Sequence, residues 1–466
     1  MSFASFDYLA LLLVVLVATA LLRWRARLLV LLAASYVFYC HEQPQYGLII
    51  AFSTLVDYLA ALGIDGSRDQ RRRRMWLAAG IGANLGLLGY FKYTHFALEV
   101  FRPVLDLAGI DLRPFRLALP AGISFYTFQS MSYILDVYRG VSRPTRDGTL
   151  LATYVAFFPQ LIAGPIERAR SLLPQLARRP RVSFDMLWDG ACLVLAGLAK
   201  KLVLADRLAV LTYAAYQDPA THDGWELLLA LVAMPVSLYL DFSAYTDIAR
   251  GSGRMLGIEL SRNFDFPFAA TSPADYWSRW HMTLTRWVRD YVFQPLGGWR
   301  RRRLLRSVLN VVLAMGLVGL WHGASWSFIA WGLANGVILA GQWMLRVRFG
   351  RSTRSRLRSL LGWLATCGLL LPTAPLFFCP TLRLAAGFWR GLVLHPWTSF
   401  GEPSLSVLAL FLIVFFGLQA AGRGFKGGSL WQRTPAPLKG ALVAGLLYLV
   451  LFGSVPTVQR FVYYGF

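Results

Sequence analysis

Apolar residues run along this chain in blocks, and most blocks approach the length needed to cross ~30 Å of hydrocarbon at 1.5 Å per residue. They fall at 3–22, 28–40, 46–64, 75–91, 117–137, 150–166, 184–204, 225–248, 304–321, 326–345, 357–378, 382–394, 405–420 and 438–455. The pattern predicts an all-α, polytopic integral membrane protein with roughly 11–13 transmembrane helices in one membrane domain, 1–466. Blocks as short as 28–40 and 382–394 predict tilted, paired or re-entrant helices, which need protein or a watery cavity over the backbone. The first block precedes Arg23, Arg25 and Arg27 and has no small-residue cleavage site, so a retained helix is expected.

One stretch follows a different rule. In "PADYWSRWHMTLTRWVRDYVFQPLGG", residues 273–298, Trp277, Trp280, His281, Leu284, Trp287, Val288 and Tyr291 recur at steps of three and four. Arg279, Thr283, Arg286 and Asp290 take the opposite face, so the spacing predicts one amphipathic helix that does not span the membrane. Ser272 and Pro273 mark its start and Asp275 its first turn, while Pro295 and Gly297-Gly298 end it.

Composition agrees with a lipid solvent: of 466 residues, 56% are hydrophobic and 15% charged, against about 25% charged in soluble domains. Mean hydropathy is +0.49. A net charge of +23 raises the question of nucleic acid, but the basic residues gather in short loops between apolar blocks. Arg23 to Arg27, Arg68 to Arg74, Arg300 to Arg306 and Arg346 to Arg358 alternate with empty loops such as "HEQPQ" at 41–45. This is the positive-inside pattern; it predicts an extracytoplasmic N-terminus and basic loops that meet anionic lipid head groups, with no nucleic-acid partner. Cys40, Cys192, Cys367 and Cys379 have no paired spacing, so neither a disulfide framework nor a metal site is expected.

Polar residues inside apolar blocks carry the chemical information. Block 117–137 holds Ser124, Tyr126, Thr127, Gln129, Ser130, Ser132 and Tyr133, which either bond neighbouring helices or line a cavity. Asp241 and Asp247 lie in "SLYLDFSAYTDIARG" and require a partner, for which Arg250 and Arg254 are candidates. The chain has six histidines. His281 lies on the apolar face of the amphipathic stretch, and His322 stands in "GLWHGASWSFIAWG" between two apolar blocks. Basic clusters at both outer ends make those blocks a hairpin with "WHGAS" at the turn, far from the cytoplasmic surface. Gly316, Gly319, Gly323, Gly332 and Gly336 leave room for close packing or for a ligand. A satisfied core histidine and a functional one are about equally consistent with each position. If functional, a pair of imidazoles held away from water suits proton abstraction from a hydroxyl better than metal binding, for which no Cys or close third ligand is at hand.

These stretches resemble the membrane-bound O-acyltransferases, in particular the bacterial branch that acetylates alginate. The likeness is carried by "LPAGISFYTFQSMSYILDVYRG" (119–140), "FFPQLIAGPIERA" (157–169), "DFSAYTDIARG" (241–251), "DYWSRWHMTLTRWVRDYVFQPLGG" (275–298) and "GLWHGASWSFIAWG" (319–332), with "FVYYGF" at the C-terminus. The resemblance implies a funnel-shaped fold with N-terminal helices in 1–116, a catalytic core in 117–345 and C-terminal helices in 346–466. It implies that His322 is catalytic and His281 a second essential position. It further implies transfer of an acetyl group from a cytoplasmic thioester, acetyl-CoA, across the bacterial inner membrane, with no bound cofactor. The expected partners are a periplasmic acetyltransferase of serine-hydrolase-like fold and the polysaccharide synthesis machinery. In this picture His281, or the indoles of Trp280 and Trp321, position donor or oxyanion. Asp241, Asp247, Ser124, Tyr126 and Gln129 are candidate cavity or substrate residues. Acetylation of cellulose or peptidoglycan and D-alanyl transfer to teichoic acid are the neighbouring readings. A transporter would show inverted halves with matching interrupted helices, and no second "WHG" or "RWH" stretch is present.

Overall fold

The apolar blocks become helices. The computed structural model describes all residues except 42, 110–117, 179, 301, 351–354, 400–402, 423–433 and 454–466, and the C-terminal "FVYYGF" lies outside the described residues. Among those described there is no strand. Two units form, one from 1–197 with 245–261 and the other from 198–244 with 262–466.

The first unit opens with α1 (Phe6–Leu21), α2 (Trp24–Cys40), α3 (Tyr46–Gly66) and α4 (Gln70–Leu88), the last running through a π turn into α5 (Thr94–Leu107). Side chains at the ends supply the caps that orphan N–H groups need: Ser5 accepts from Tyr8 N–H, and Asp69 from Arg71 and Arg72 N–H. Next come α6 (Ile123–Tyr138), α7 (Gly148–Ala156), α8 (Ala169–Leu176) and α9 (Phe184–Ala199). Block 150–166 is not one helix. It stops at Ala156, and residues 157–164 form consecutive turns in which Gln160 N–H bonds Phe157 O at 3.0 Å and Gly164 N–H bonds Gln160 O at 2.9 Å. Pro159 offers no N–H to continue a helix. The turn is buried, so Ser35 Oγ accepts the Phe158 N–H at 3.1 Å.

After a π turn at Lys200–Ala205 the chain enters α10 (Asp206–Gln217) and the long α11 (Gly224–Met255), whose last residues belong to the first unit. There Ser252 Oγ accepts from Tyr8 Oη at 2.8 Å, and the Arg27 guanidinium donates to Leu256 O at 2.8 Å. The second unit continues with α12 (Pro273–Arg279), α13 (Met282–Val288), α14 (Leu304–His322), α15 (Trp326–Phe349), α16 (Arg356–Leu370), α17 (Ala374–Phe378), α18 (Leu382–Leu394), α19 (Pro403–Gly422) and α20 (Ala436–Phe452). Among the described residues, α3, α11, α14, α15, the run Arg356–Phe378 and Leu405–Gly422 of α19 are long and apolar enough to span a bilayer; α1 and α20 are shorter apolar helices. The chain is a multi-pass membrane protein.

The hairpin of α14 and α15 is the tightest pairing. Leu305, Leu309, Leu313 and Leu317 form an exposed stripe at steps of four on α14, suited to lipid, while Val311, Ala314, Met315 and Val318 are buried. Glycines bring the backbones together: a Cβ on Gly319 would collide with Phe328 O, and one on Gly332 with Met315 O. Ser325 caps α15 through the Phe328 N–H at 3.4 Å. Gly332→Val should therefore lower the unfolding midpoint in detergent, overpacking costing about 1–3 kcal/mol. Gly341→Ala, whose added methyl meets nothing within 4 Å, should leave it unchanged or slightly higher. Equal midpoints for the two variants would contradict the close approach.

Candidate active site

His322 is the last residue of α14 and is 2% exposed. Three aromatic rings surround its imidazole, with centroids at 4.9 Å for Trp321, 5.3 Å for Trp331 and 5.3 Å for Phe377. It borders a cavity of about 90 Å³, several water volumes, together with Trp277, Trp280, Trp331, Asn335 and Thr373. The lining is mostly aromatic and aliphatic; Asn335 Nδ2 donates to Trp331 O at 2.9 Å and to Thr373 Oγ1 at 3.4 Å.

His281 is held differently. The stretch 273–298 is not one continuous amphipathic helix, because the chain breaks between α12 and α13 with His281 itself in the left-handed region at φ 41°. For a residue other than glycine this conformation is strained and persists only where surroundings enforce it. Ser272 caps α12 by accepting from Asp275 N–H at 3.2 Å, as the Ser-Pro start predicted. Beyond the break, Asn263 Oδ1 accepts from Thr283 N–H at 3.1 Å and Thr283 Oγ–H at 2.8 Å, while Asn263 O accepts from Met282 N–H at 2.9 Å. With that oxygen already accepting twice, the third neighbour, His281 Nδ1 at 3.3 Å, must be the protonated nitrogen. Nε2 then carries the lone pair. The imidazole packs edge-on against Phe242 at 4.7 Å and against Trp321 at 6.1 Å. Burial pushes its pKa down to about 3, which keeps it neutral. His281 does not border the cavity that His322 borders.

The other candidates separate. Trp280 stacks on Tyr276 at 5.7 Å and lines the cavity. Trp321 stands between the two histidines as a packing ring. Asp241 finds a cation on another element of its own unit. It meets Lys201 Nζ at 2.9 Å, and the same ammonium meets Asp206 at 2.7 Å, all three side chains at most 3% exposed. Lys201 and Asp206 were not singled out from sequence, although two charges in an apolar stretch called for a partner; Lys201 lies in a π turn and Asp206 directly follows it, a distortion common at functional sites. Asp247 belongs to the first unit and pairs with Arg250 at 3.7 Å. Ser124, Tyr126 and Gln129 also lie in the first unit, where Ser124 accepts from Lys92 at 3.4 Å and Tyr126 packs edge-on against Tyr39. Gln129 donates to Tyr154 O at 2.7 Å and accepts from Gln160 at 3.1 Å. Asn263 left no mark in the sequence, since nothing distinguishes it from any loop asparagine.

A second cavity, of about 390 Å³, is lined by Trp277, Arg286, Arg289, Gln294, Trp299 and Met315 among others. It takes Val311, Met315 and Val318 from α14, whereas the first takes His322. Along that helix the second cavity therefore lies toward the arginine-rich start, Val311 being roughly 16 Å from His322 along the axis.

Residues 149–379 match the model of the membrane-bound O-acyltransferase family. The chain is 38% identical over 391 residues to a probable alginate O-acetylase of Azotobacter vinelandii, covering 82% of this chain and 75% of that protein. It is 28% identical to a peptidoglycan O-acetyltransferase of Helicobacter pylori, covering 94% and 91%. A teichoic acid D-alanyltransferase of Bacillus subtilis is 31% identical over 47% of this chain and 57% of its own length.

The Lys201 triad generates its own prediction. Lys201→Met leaves two buried carboxylates without their shared cation and should cost about 3–5 kcal/mol. Denaturant unfolding of the purified protein reads this directly, and an unchanged midpoint would show that the ammonium is dispensable.

Proposed function

The chain belongs to the membrane-bound O-acyltransferase family and is an acyltransferase, and from that premise we propose that it moves acetyl groups across the bacterial inner membrane for O-acetylation of an extracellular polysaccharide, alginate. The observation that carries this reading is His322 at the wall of the smaller cavity, at the end of α14 remote from the arginine cluster. Arg302, Arg303, Arg306, Arg346 and Arg348 stand at the other end of the hairpin, which the positive-inside rule makes cytoplasmic. A thioester donor, acetyl-CoA, then enters by the larger cavity, where Arg286 and Arg289 suit phosphate groups.

The chemistry follows from a neutral imidazole. The acceptor hydroxyl attacks the thioester carbonyl as His322 takes its proton. Collapse of the tetrahedral intermediate expels the thiolate, which recovers that proton; an acetyl ester and a free thiol result. His281 acts through its packing on Trp321, the ring next to His322, and is assigned a positioning role. The attacking hydroxyl is that of a periplasmic partner of serine-hydrolase-like fold, which carries the acetyl ester away and passes the acetyl group to a polysaccharide hydroxyl, regaining its own, and the N-terminus is periplasmic. Higher identity to the alginate O-acetylases supports alginate over peptidoglycan, and the shorter match to the D-alanyltransferase ranks teichoic acid lower.

His322→Ala should lower transfer from labelled acetyl-CoA by about 10²-fold or more, the usual worth of a general base, with insertion and thermal stability kept. Cells carrying it should lose O-acetyl groups from alginate and retain them on peptidoglycan. Near-normal transfer by the purified variant would sink the assignment of the base, and loss from peptidoglycan alone would sink alginate.

A further inference from the structure

Trp277 is the residue the two cavities share. It lies on α12, one helical turn before Trp280, and lines both the small cavity beside His322 and the large one beside Arg286 and Arg289. It is 8% exposed, and among the described residues its indole Nε1 is buried with no hydrogen-bond acceptor. That is unusual, because a buried indole N–H normally finds a partner and an unmet donor costs stability. Other tryptophans of this chain follow the rule: Trp24 donates to Leu176 O at 3.1 Å, Trp363 to Phe268 O at 2.8 Å and Trp389 to Pro372 O at 3.1 Å. The Trp277 ring is itself well fixed, edge-on to Tyr276 at 5.6 Å and to Trp331 at 5.8 Å. Trp331 is in turn edge-on to His322 at 5.3 Å.

We propose that Trp277 is a catalytic hydrogen-bond donor whose indole N–H binds the carbonyl oxygen of the acyl group as it passes from the larger cavity to His322. The inference rests on acyl transfer at His322. In the donor thioester the carbonyl accepts this bond; as the hydroxyl oxygen attacks, the C=O electron pair moves onto that oxygen and the N–H bond to it strengthens. No proton moves at Trp277. His322 takes the hydroxyl proton and returns it to the departing thiolate, so the donor needs only to be fixed and dry, as this one is. No acceptor among the described residues takes this N–H, and a donor satisfied by a backbone carbonyl would not be available to substrate.

The test replaces the N–H without changing the ring. Benzothienylalanine at position 277 substitutes sulfur for the indole nitrogen, and Trp277→Phe removes the donor more coarsely. With acetyl-CoA as donor, both should lower kcat by about 10²–10³-fold, the loss seen when one oxyanion donor is removed, with KM changed by less than about threefold. The melting temperature of the benzothienyl protein should stay the same or rise, since an unmet donor has been deleted. A benzothienyl variant with kcat within about threefold of the parent overturns the proposal, as does a kcat loss matched by a lowered melting temperature, which marks a packing role. His322→Ala run beside them separates the two ideas. If it is inactive while the benzothienyl protein is active, only the donor assignment fails; if it is active, the His322 reading fails.

Discussion

A polar group inside a bilayer has no water to fall back on and must find its partner in the protein. The buried ion pair, the tethered loop and the helix hairpin answer to that constraint, and Trp277, whose N–H meets no acceptor among the described residues, departs from it. His322 stands at a helix end with the rings of Trp321 and Trp331 against its imidazole. His281 can adopt a strained backbone because Asn263 ties the residues that follow it. Asp241 can be buried because Lys201 reaches it. The hairpin of α14 and α15 makes the first of these possible: only glycine at 319 and 332 lets the backbones approach, and that approach sets the end of α14 against α15 and α17.

The same constraint explains what could be read from the sequence. Blocks such as 304–321, 326–345 and 382–394 were legible to within a few residues, because length and apolarity determine what can span lipid, whereas the helices at Thr94–Leu107, Ala169–Leu176 and Asp206–Gln217 fell in no block; the turn at "WHGAS" followed from basic clusters at both outer ends. The two histidines stood out because so few polar residues occur in such runs. Partners were not legible. Asp241 was read against arginines on its own helix, whereas its cation comes from the π turn at Lys200–Ala205, some forty residues earlier in the chain. Periodicity predicted one amphipathic helix where there are two, since the local pattern of Trp277, Trp280 and Trp287 survives the break while the tether that causes it, Asn263, belongs to a distant loop. Block 150–166 failed for a local reason that was in plain view, Pro159 within an apolar run.

Polar density also proved an ambiguous sign. Helix α6 carries the richest set of hydroxyl and amide side chains, yet Gln129 bonds Tyr154 O and Gln160 within the first unit, while Gln160 Oε1 meets no partner among the described residues. Such bonds tie packed segments to one another. Trp277 is a single fixed donor with no acceptor among the described residues, and it escaped attention in the sequence because tryptophan reads as an aromatic surface, not as a polar group.

Under the proposed function these differences give the two histidines different work. His322 borders the smaller cavity and can meet a substrate, while His281 lines neither of the two cavities described and is fixed at Nδ1 by an amide oxygen that accepts from Thr283 as well. An imidazole tethered in this way has one tautomer and little freedom to turn, which suits a residue that must hold Trp321 in place and suits poorly one that must follow a moving proton. The order along the hairpin, from the arginine end through the larger cavity and past Trp277 to His322, then matches the order in which a thioester would be bound, polarised and attacked. Catalysis in such a site depends less on the reactivity of any one group than on the exclusion of water, because each fixed dipole acts more strongly where no solvent competes with it.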